Sequence, residues 1–102
     1  MFIGTVVGTV WSTKKVEGLT GLKLLLIHPY GLDGDPVPDV VVAGDKIGAG
    51  IGEDVIVAYG RAAREALGSQ DIPIEAAVVA IVDGFDLSET ILTELPKRRK
   101  NP

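Results

Sequence analysis

DKIGAGIGEDVIVAYGRAAR, residues Asp45 to Arg64, decides how the rest of the chain is read. Gly48, Gly50, Gly52 and Gly60 punctuate two apolar runs. Glycine at this density serves positive φ angles or close backbone approach. The G-A-G-I-G spacing invites a phosphate-loop reading, but such a loop opens a helix whose N-terminal N–H groups hold the phosphate. Here it opens onto Asp54-Val-Ile-Val-Ala-Tyr59, a run rich in β-branched residues that reads as a strand. The segment is therefore a strand-to-strand glycine loop with an architectural purpose.

Beyond that strand the character changes. Gly60 to Leu67 (GRAAREAL) is composed of helix formers and Gly68 supplies a stop, which predicts about two helical turns. After a loop containing Pro73, Ala76 to Asp83 (AAVVAIVD) reads as a strand that is apolar on both faces, covered by the core on one side and by something else on the other. Upstream, Met1 to Ser12 is β-rich but interrupted by Gly4 and Gly8, which mark bends, bulges or close packing. Thr13 to Thr20 reads as an exposed connection. Gly21 to Tyr30 is a strand ended by Pro29, with Leu22, Leu24, Leu26 and His28 on one face and Lys23, Leu25 and Ile27 on the other. Gly31 to Pro38 carries turn residues throughout, and Asp39 to Gly44 gives the remaining strand. Asp86 to Glu89 resembles a capping box; a short helix to Glu94 and an extended arm are both open, and Pro96 ends either. Five short strands with one short helix before the last predict a mainly β fold, a small five-stranded OB-like β-barrel.

The 102 residues suit one domain. Aromatics make up only 5% and apolar residues 46%, so aliphatic side chains fill the core, and a chain this small and apolar is expected to bury surface between subunits. Its net charge of −4 is unevenly placed: Lys97, Arg98, Arg99 and Lys100 crowd the end, leaving six basic and fourteen acidic groups in residues 1–96. An acidic body argues against nucleic acid as a partner, because that affinity rests largely on neutralising phosphates. The basic tail reads as a solvated terminus. There is no cysteine, hence no disulfide and no thiolate chemistry, in keeping with a cytoplasmic location. Neither a signal peptide nor a run of about 20 apolar residues is evident, so no membrane partner is expected.

Several pieces, in order, resemble one family: Gly4-Thr-Val-Val-Gly-Thr-Val10, Gly21-Leu-Lys-Leu-Leu-Leu26, Asp45-Lys-Ile-Gly-Ala-Gly50, Gly52-Glu53, Gly60 to Arg64, and Pro73-Ile-Glu-Ala-Ala-Val-Val-Ala-Ile-Val-Asp83. Over residues 1–85 the chain is similar to the pentameric vertex proteins of bacterial microcompartment shells, found in carboxysomes and in ethanolamine- and propanediol-utilisation compartments. The resemblance implies a vertex-protein barrel over residues 1–85, followed by a C-terminal extension, 86–102, that matches nothing in the family. It also implies a non-enzymatic homopentamer without cofactor, located in a cytoplasmic microcompartment shell, which caps the fivefold vertices and meets hexagonal shell proteins. Arg61 departs from the pattern, standing where the family usually has a small residue. The alternative from a different class is an OB-like module binding a small ligand or oligonucleotide. Such modules show basic and aromatic grooves, which this acidic, aromatic-poor chain lacks.

A fivefold ring is a heterologous assembly, so each chain must present two different contact surfaces. Gly48, Ala49, Gly50, Ile51 and Gly52 are read as a loop bordering the central opening, with a tight connection remote from the axis as the alternative. Arg64, whose planar fork of donors suits carboxylates, is read as a subunit contact with Glu53 and Asp54 as partners across the ring. Val79 and Ile81 are read as interface apolar residues, with Val78 and Val82 dividing between core and interface. His28, the one histidine, has no accompanying nucleophile or ligand motif and reads as structural, as do Trp11 and Tyr59 as packing residues. Asp33, Asp35 and Asp39 lack the ligand periodicity of a calcium loop and read as solvated turn residues; no metal is expected.

Overall fold

The computed structural model describes residues 1–30, 39–84, 88 and 90. Five strands and two helical segments follow in the order β1 (Phe2–Val10), a single 3₁₀ turn (Glu17–Leu19), β2 (Lys23–Pro29), β3 (Val41–Asp45), β4 (Asp54–Tyr59), α1 (Gly60–Ala66) and β5 (Ala76–Val82). The sheet closes on itself in the order β1-β2-β3-β5-β4, the OB-like barrel expected from the sequence. All neighbours are antiparallel except β3 and β5, whose parallel contact is the pairing Gly44↔Ala77.

Alternation sorts the side chains. Val6, Leu25, Ile27, Ala43, Val55, Val57, Ala76 and Val78 point inward and are buried, with Phe2, Val41 and Ile81 packed against them. Leu25 and Ile27 are thus the core face of β2, while Leu24, Leu26 and His28 lie half-buried on the outer face. A five-stranded barrel has little interior volume, and its buried side chains are all Val, Ile, Leu and Ala, with Phe2 packed at the edge.

The two glycines inside β1 do different jobs. A Cβ at Gly4 would stand 2.7 Å from Ile27 Cγ2 and 2.8 Å from the His28 carbonyl oxygen, so β2 packs directly on bare backbone there. Between Val6 and Gly8 the register with β2 slips, leaving Val7 as the extra residue of a bulge that bends β1; the strand pairs with β2 from Gly4 to Val10 and, on its other edge, with β4 from Phe2 to Thr5.

Helix α1 ends at a Gly68 N–H donated to the Glu65 carbonyl (3.0 Å). Its Ala63 and Leu67 pack with Ala77 of β5, and Leu22, Ile72 and Ile74 close over them. This helix is what covers the second apolar face of β5 at its first turn. Trp11 is not buried among the described residues: it follows the last residue of β1 and is 89% exposed. Tyr59 is half-exposed and leans on Phe2, ring centroids 5.5 Å apart. The expected turn at 31–38, with Asp33 and Asp35, and the alternatives for 86–94 and the basic tail lie outside the described residues, apart from positions 88 and 90.

Candidate functional site

The glycine loop between β3 and β4 is built around Asp45, the one buried charged residue among those described. Its carboxylate accepts backbone N–H bonds from Ile47 (3.0 Å), Gly48 (3.2 Å) and Ala49 (2.9 Å). These are charge-assisted bonds, and they satisfy three amides that no strand ladder can reach. Ala49 is fully buried in the barrel core, so the loop folds back and plugs the barrel from that side. Lys23 Nζ donates to the Ala49 carbonyl at 3.1 Å. On the far side of the loop, the Gly50 N–H donates to Glu53 Oε1 (2.7 Å), and the Gly52 and Val6 amides exchange bonds with Val6 and Glu53 carbonyls (2.8 and 2.9 Å).

Gly48 (φ +100°) and Gly52 (φ +91°) occupy the left-handed region, and a Cβ on either would meet nothing within 4 Å. Within one chain, backbone conformation is their requirement, and crowding is absent. Ile51 stands at the tip, 70% exposed. The frame beneath it is fixed and the side chain on top points away from it.

Arg64, Glu53 and Asp54 are not brought together within one chain. Arg64 Nη1 pairs with Glu75 Oε1 at 2.8 Å, and its Nε donates to Gln70 Oε1 at 3.4 Å. Glu75 is 79% exposed, so this pair sits on the surface. Glu53 is spent on the loop. Asp54 accepts from Thr5 Oγ1 (3.0 Å) and from the Tyr30 hydroxyl. The accepted hydrogen bond holds the Tyr30 phenol above its ordinary pKa, because the proton it would lose is the one Asp54 binds; Thr5 pulls the other way, and slight burial and the Asp54 charge add to the rise. Ile81 is opposite Val55 and packs on the barrel core, and Val79 is the unpaired residue where β5 slips against β4. Among the described residues no group of three or more His, Asp or Glu is placed to hold a metal, and no helix is long and apolar enough to cross a membrane.

Sequence reasoning passed over two of these features. Asp45 was legible as a residue that caps a turn through its side chain, since Asp before a glycine-rich stretch commonly does so. The Thr5–Asp54–Tyr30 cluster depends on three separate segments and has no local signature.

The same architecture recurs in known proteins. The family model described as "Ethanolamine utilisation protein EutN/carboxysome" matches residues 1–83, from the start of β1 past the end of β5. The chain is 51% identical over 83 residues to the carboxysome shell vertex protein CcmL of Thermosynechococcus vestitus, covering 81% of this chain and 84% of that protein. The solved structure of Gloeobacter violaceus CcmL superposes with a TM-score of 0.79 at 40% identity, covering 86% of this chain and 91% of that one. The pentameric microcompartment shell protein GrpN of Rhodospirillum rubrum does so with a TM-score of 0.73 at 42% identity, covering 87% of this chain and all of that one.

Proposed function

The chain belongs to the ethanolamine utilisation EutN/carboxysome family, and on that premise we propose that it is a structural protein of a bacterial microcompartment shell, a homopentamer that caps the fivefold vertices. One observation carries the reading: the similarity to shell vertex proteins runs through the whole closed barrel and includes both the glycine loop and α1. A ligand-binding barrel of the same topology would show its individuality in a groove, and here the likeness is to proteins named for their place in a shell.

The physical task is geometric. A flat hexagonal sheet closes into a polyhedron only where pentagons replace hexagons, so five chains must close a heterologous ring and offer its rim to hexagonal tiles. We assign the Gly48–Gly52 loop to the border of the ring's opening: its backbone is held by Asp45, Glu53 and Val6, and a border lined by five copies needs a frame that does not move. We assign Arg64 to the subunit contact. Its guanidinium has five donors, and with Glu75 and Gln70 engaged it retains others for a carboxylate of the next copy, Glu53 or Asp54.

The test is assembly. Native mass measurement is expected to give five chains, and co-expression with hexagonal shell proteins is expected to give closed polyhedra that open at the corners when this chain is omitted. A stable monomer, or polyhedra that close without it, would overturn the reading.

A further inference from the structure

We infer that residues 86–95, in the part of the chain that follows β5, dock on their own barrel, in an apolar groove at the far end of the β1–β2 pair, and cover Trp11. The inference does not depend on the pentamer reading.

The groove exists because β1 outruns its neighbours. Strand β4 pairs with β1 only from Phe2 to Thr5, so from Gly8 to Val10 β1 has a ladder partner on one edge, β2, and none on the other among the described residues. There a groove of about 530 Å³ opens, with Val10, Trp11, Leu22 and Leu24 as its apolar lining and Lys15 and Lys23 among its polar lining. Trp11 is 89% exposed in it. Large apolar side chains gathered in a polar-rimmed hollow mark a surface that something else covers.

Charge narrows the occupant. The body of the chain is acidic, yet three of the six basic residues of 1–96, Lys14, Lys15 and Lys23, fall in this stretch against Glu17 alone. On β3, beside β2, Asp45 is buried and spent on its own loop, and the neighbouring Lys46 adds a further cation, donating to the Leu67 carbonyl. A fitting occupant is therefore apolar and acidic. Residues 86–95 read DLSETILTEL: Leu87, Ile91, Leu92 and Leu95 with Asp86, Glu89 and Glu94, and no base. Thr90 is helical and exposed. At helical spacing the four apolar residues share one stripe with Glu89 and Glu94 on either side of it, while Thr90 falls outside it. The basic run 97–100 comes after Pro96, past the stretch that would meet the lysines.

The register supplies the reach. Strands β1 and β5 are both antiparallel to β4 and so run the same way, and Val82 ends β5 opposite Asp54, which itself faces Thr5. The chain leaves β5 heading toward the end of β1. Val10 lies five positions past Thr5, about 17 Å at the rise of a strand, and residues 83–87 span that distance when extended. A tether this short holds the segment at an effective concentration of roughly millimolar, which favours it over a free competitor.

Trp11 is the one tryptophan of the chain and reports on the groove directly. In the full chain its emission is expected to be shifted to the blue and shielded from acrylamide. In the double variant Ile91→Asp, Leu95→Asp it is expected to shift to the red and lose that shielding, with circular dichroism and native mass unchanged. Trp11 open to acrylamide in both proteins overturns the proposal, and so does Trp11 equally shielded in both, which would give the groove to a different occupant. A second measurement is independent of the aspartates. The chain has no cysteine, so Ser12→Cys with Thr93→Cys, treated with a bifunctional maleimide, places one thiol at the groove and one in the segment. The expected product is a linked single chain on a denaturing gel. Linkage only between chains, or none, overturns docking on the chain's own barrel.

Discussion

Asp45 shows how much one side chain can organise. Its carboxylate, 4% exposed, takes three amides of the turn that follows it; of the donors, Ala49 is fully buried while Ile47 and Gly48 are exposed residues. Replacing it with alanine leaves the buried Ala49 amide without its acceptor and the turn without its frame. Asp45→Ala is expected to lower unfolding free energy by about 2–4 kcal/mol, measured by urea denaturation, with Asp45→Asn costing less because one oxygen acceptor remains. A loss within experimental error would remove Asp45 as the loop's organiser. Tyr30 gives a pH signature. Its folded pKa lies above the unfolded value of about 10, so the Tyr30–Asp54 bond contributes stability below that pH and loses it as pH rises through the folded value. The stability difference between wild type and Tyr30→Phe is expected to shrink above pH of about 10. A spectrophotometric titration in which Tyr30→Phe removes a phenol of ordinary pKa would contradict this.

At the scale of elements, helix α1 has only seven residues, too few to stand alone, and is held by what it covers. Leu67 is its main anchor, 1% exposed between Gly44, Ala77 and Ile74. Leu67→Ala is expected to cost about 2–5 kcal/mol in thermal or chemical unfolding. A cost near that of an exposed leucine would mean the helix is not what seals this side. The elements themselves were legible in the sequence: β-branched runs gave β1, β4 and β5, the GRAAREAL segment gave α1, and Pro29 closed β2 as its composition indicated. Strand β3 was placed at Asp39 to Gly44 but runs Val41–Asp45, because cross-strand pairing with Lys23 extends it by one residue past Gly44. Trp11 misled by its type. Aromatic side chains usually pack, but this one falls just past the end of a ladder, where no facing strand remains to cover it. The loop was legible as glycine geometry, and Asp45 bears the local signature of a turn cap because its partners lie two to four residues on; the Thr5–Asp54–Tyr30 cluster was not legible, since it depends on which segments the barrel brings side by side.

For the whole molecule, the acidic body and sparse aromatics already argued against a nucleic-acid groove, and similarity through the entire barrel then placed the chain among shell proteins. On the proposed assignment of Arg64 to the subunit contact, Arg64→Ala is expected to shift the native mass distribution toward species smaller than five chains, most clearly at low protein concentration. Because exposed ion pairs contribute only about 0–1 kcal/mol, the effect is a shift and not an abolition. An unchanged distribution at every concentration would return Arg64 to a purely intrachain role with Glu75.

The strand order has a consequence for synthesis. Without β5 the remaining four strands form an open sheet, β4-β1-β2-β3, and β5 is the piece that bridges its two free edges. Among the described residues it is also the last strand in chain order, and so the last of these five to leave the ribosome. A nascent chain that stops short of residue 76 therefore carries two unpaired edges and no closed wall, a form inclined to stick to other strands. Closure by β5 makes the finished barrel a property of chains that extend through Val82: a shorter product has no closed wall to offer to any partner.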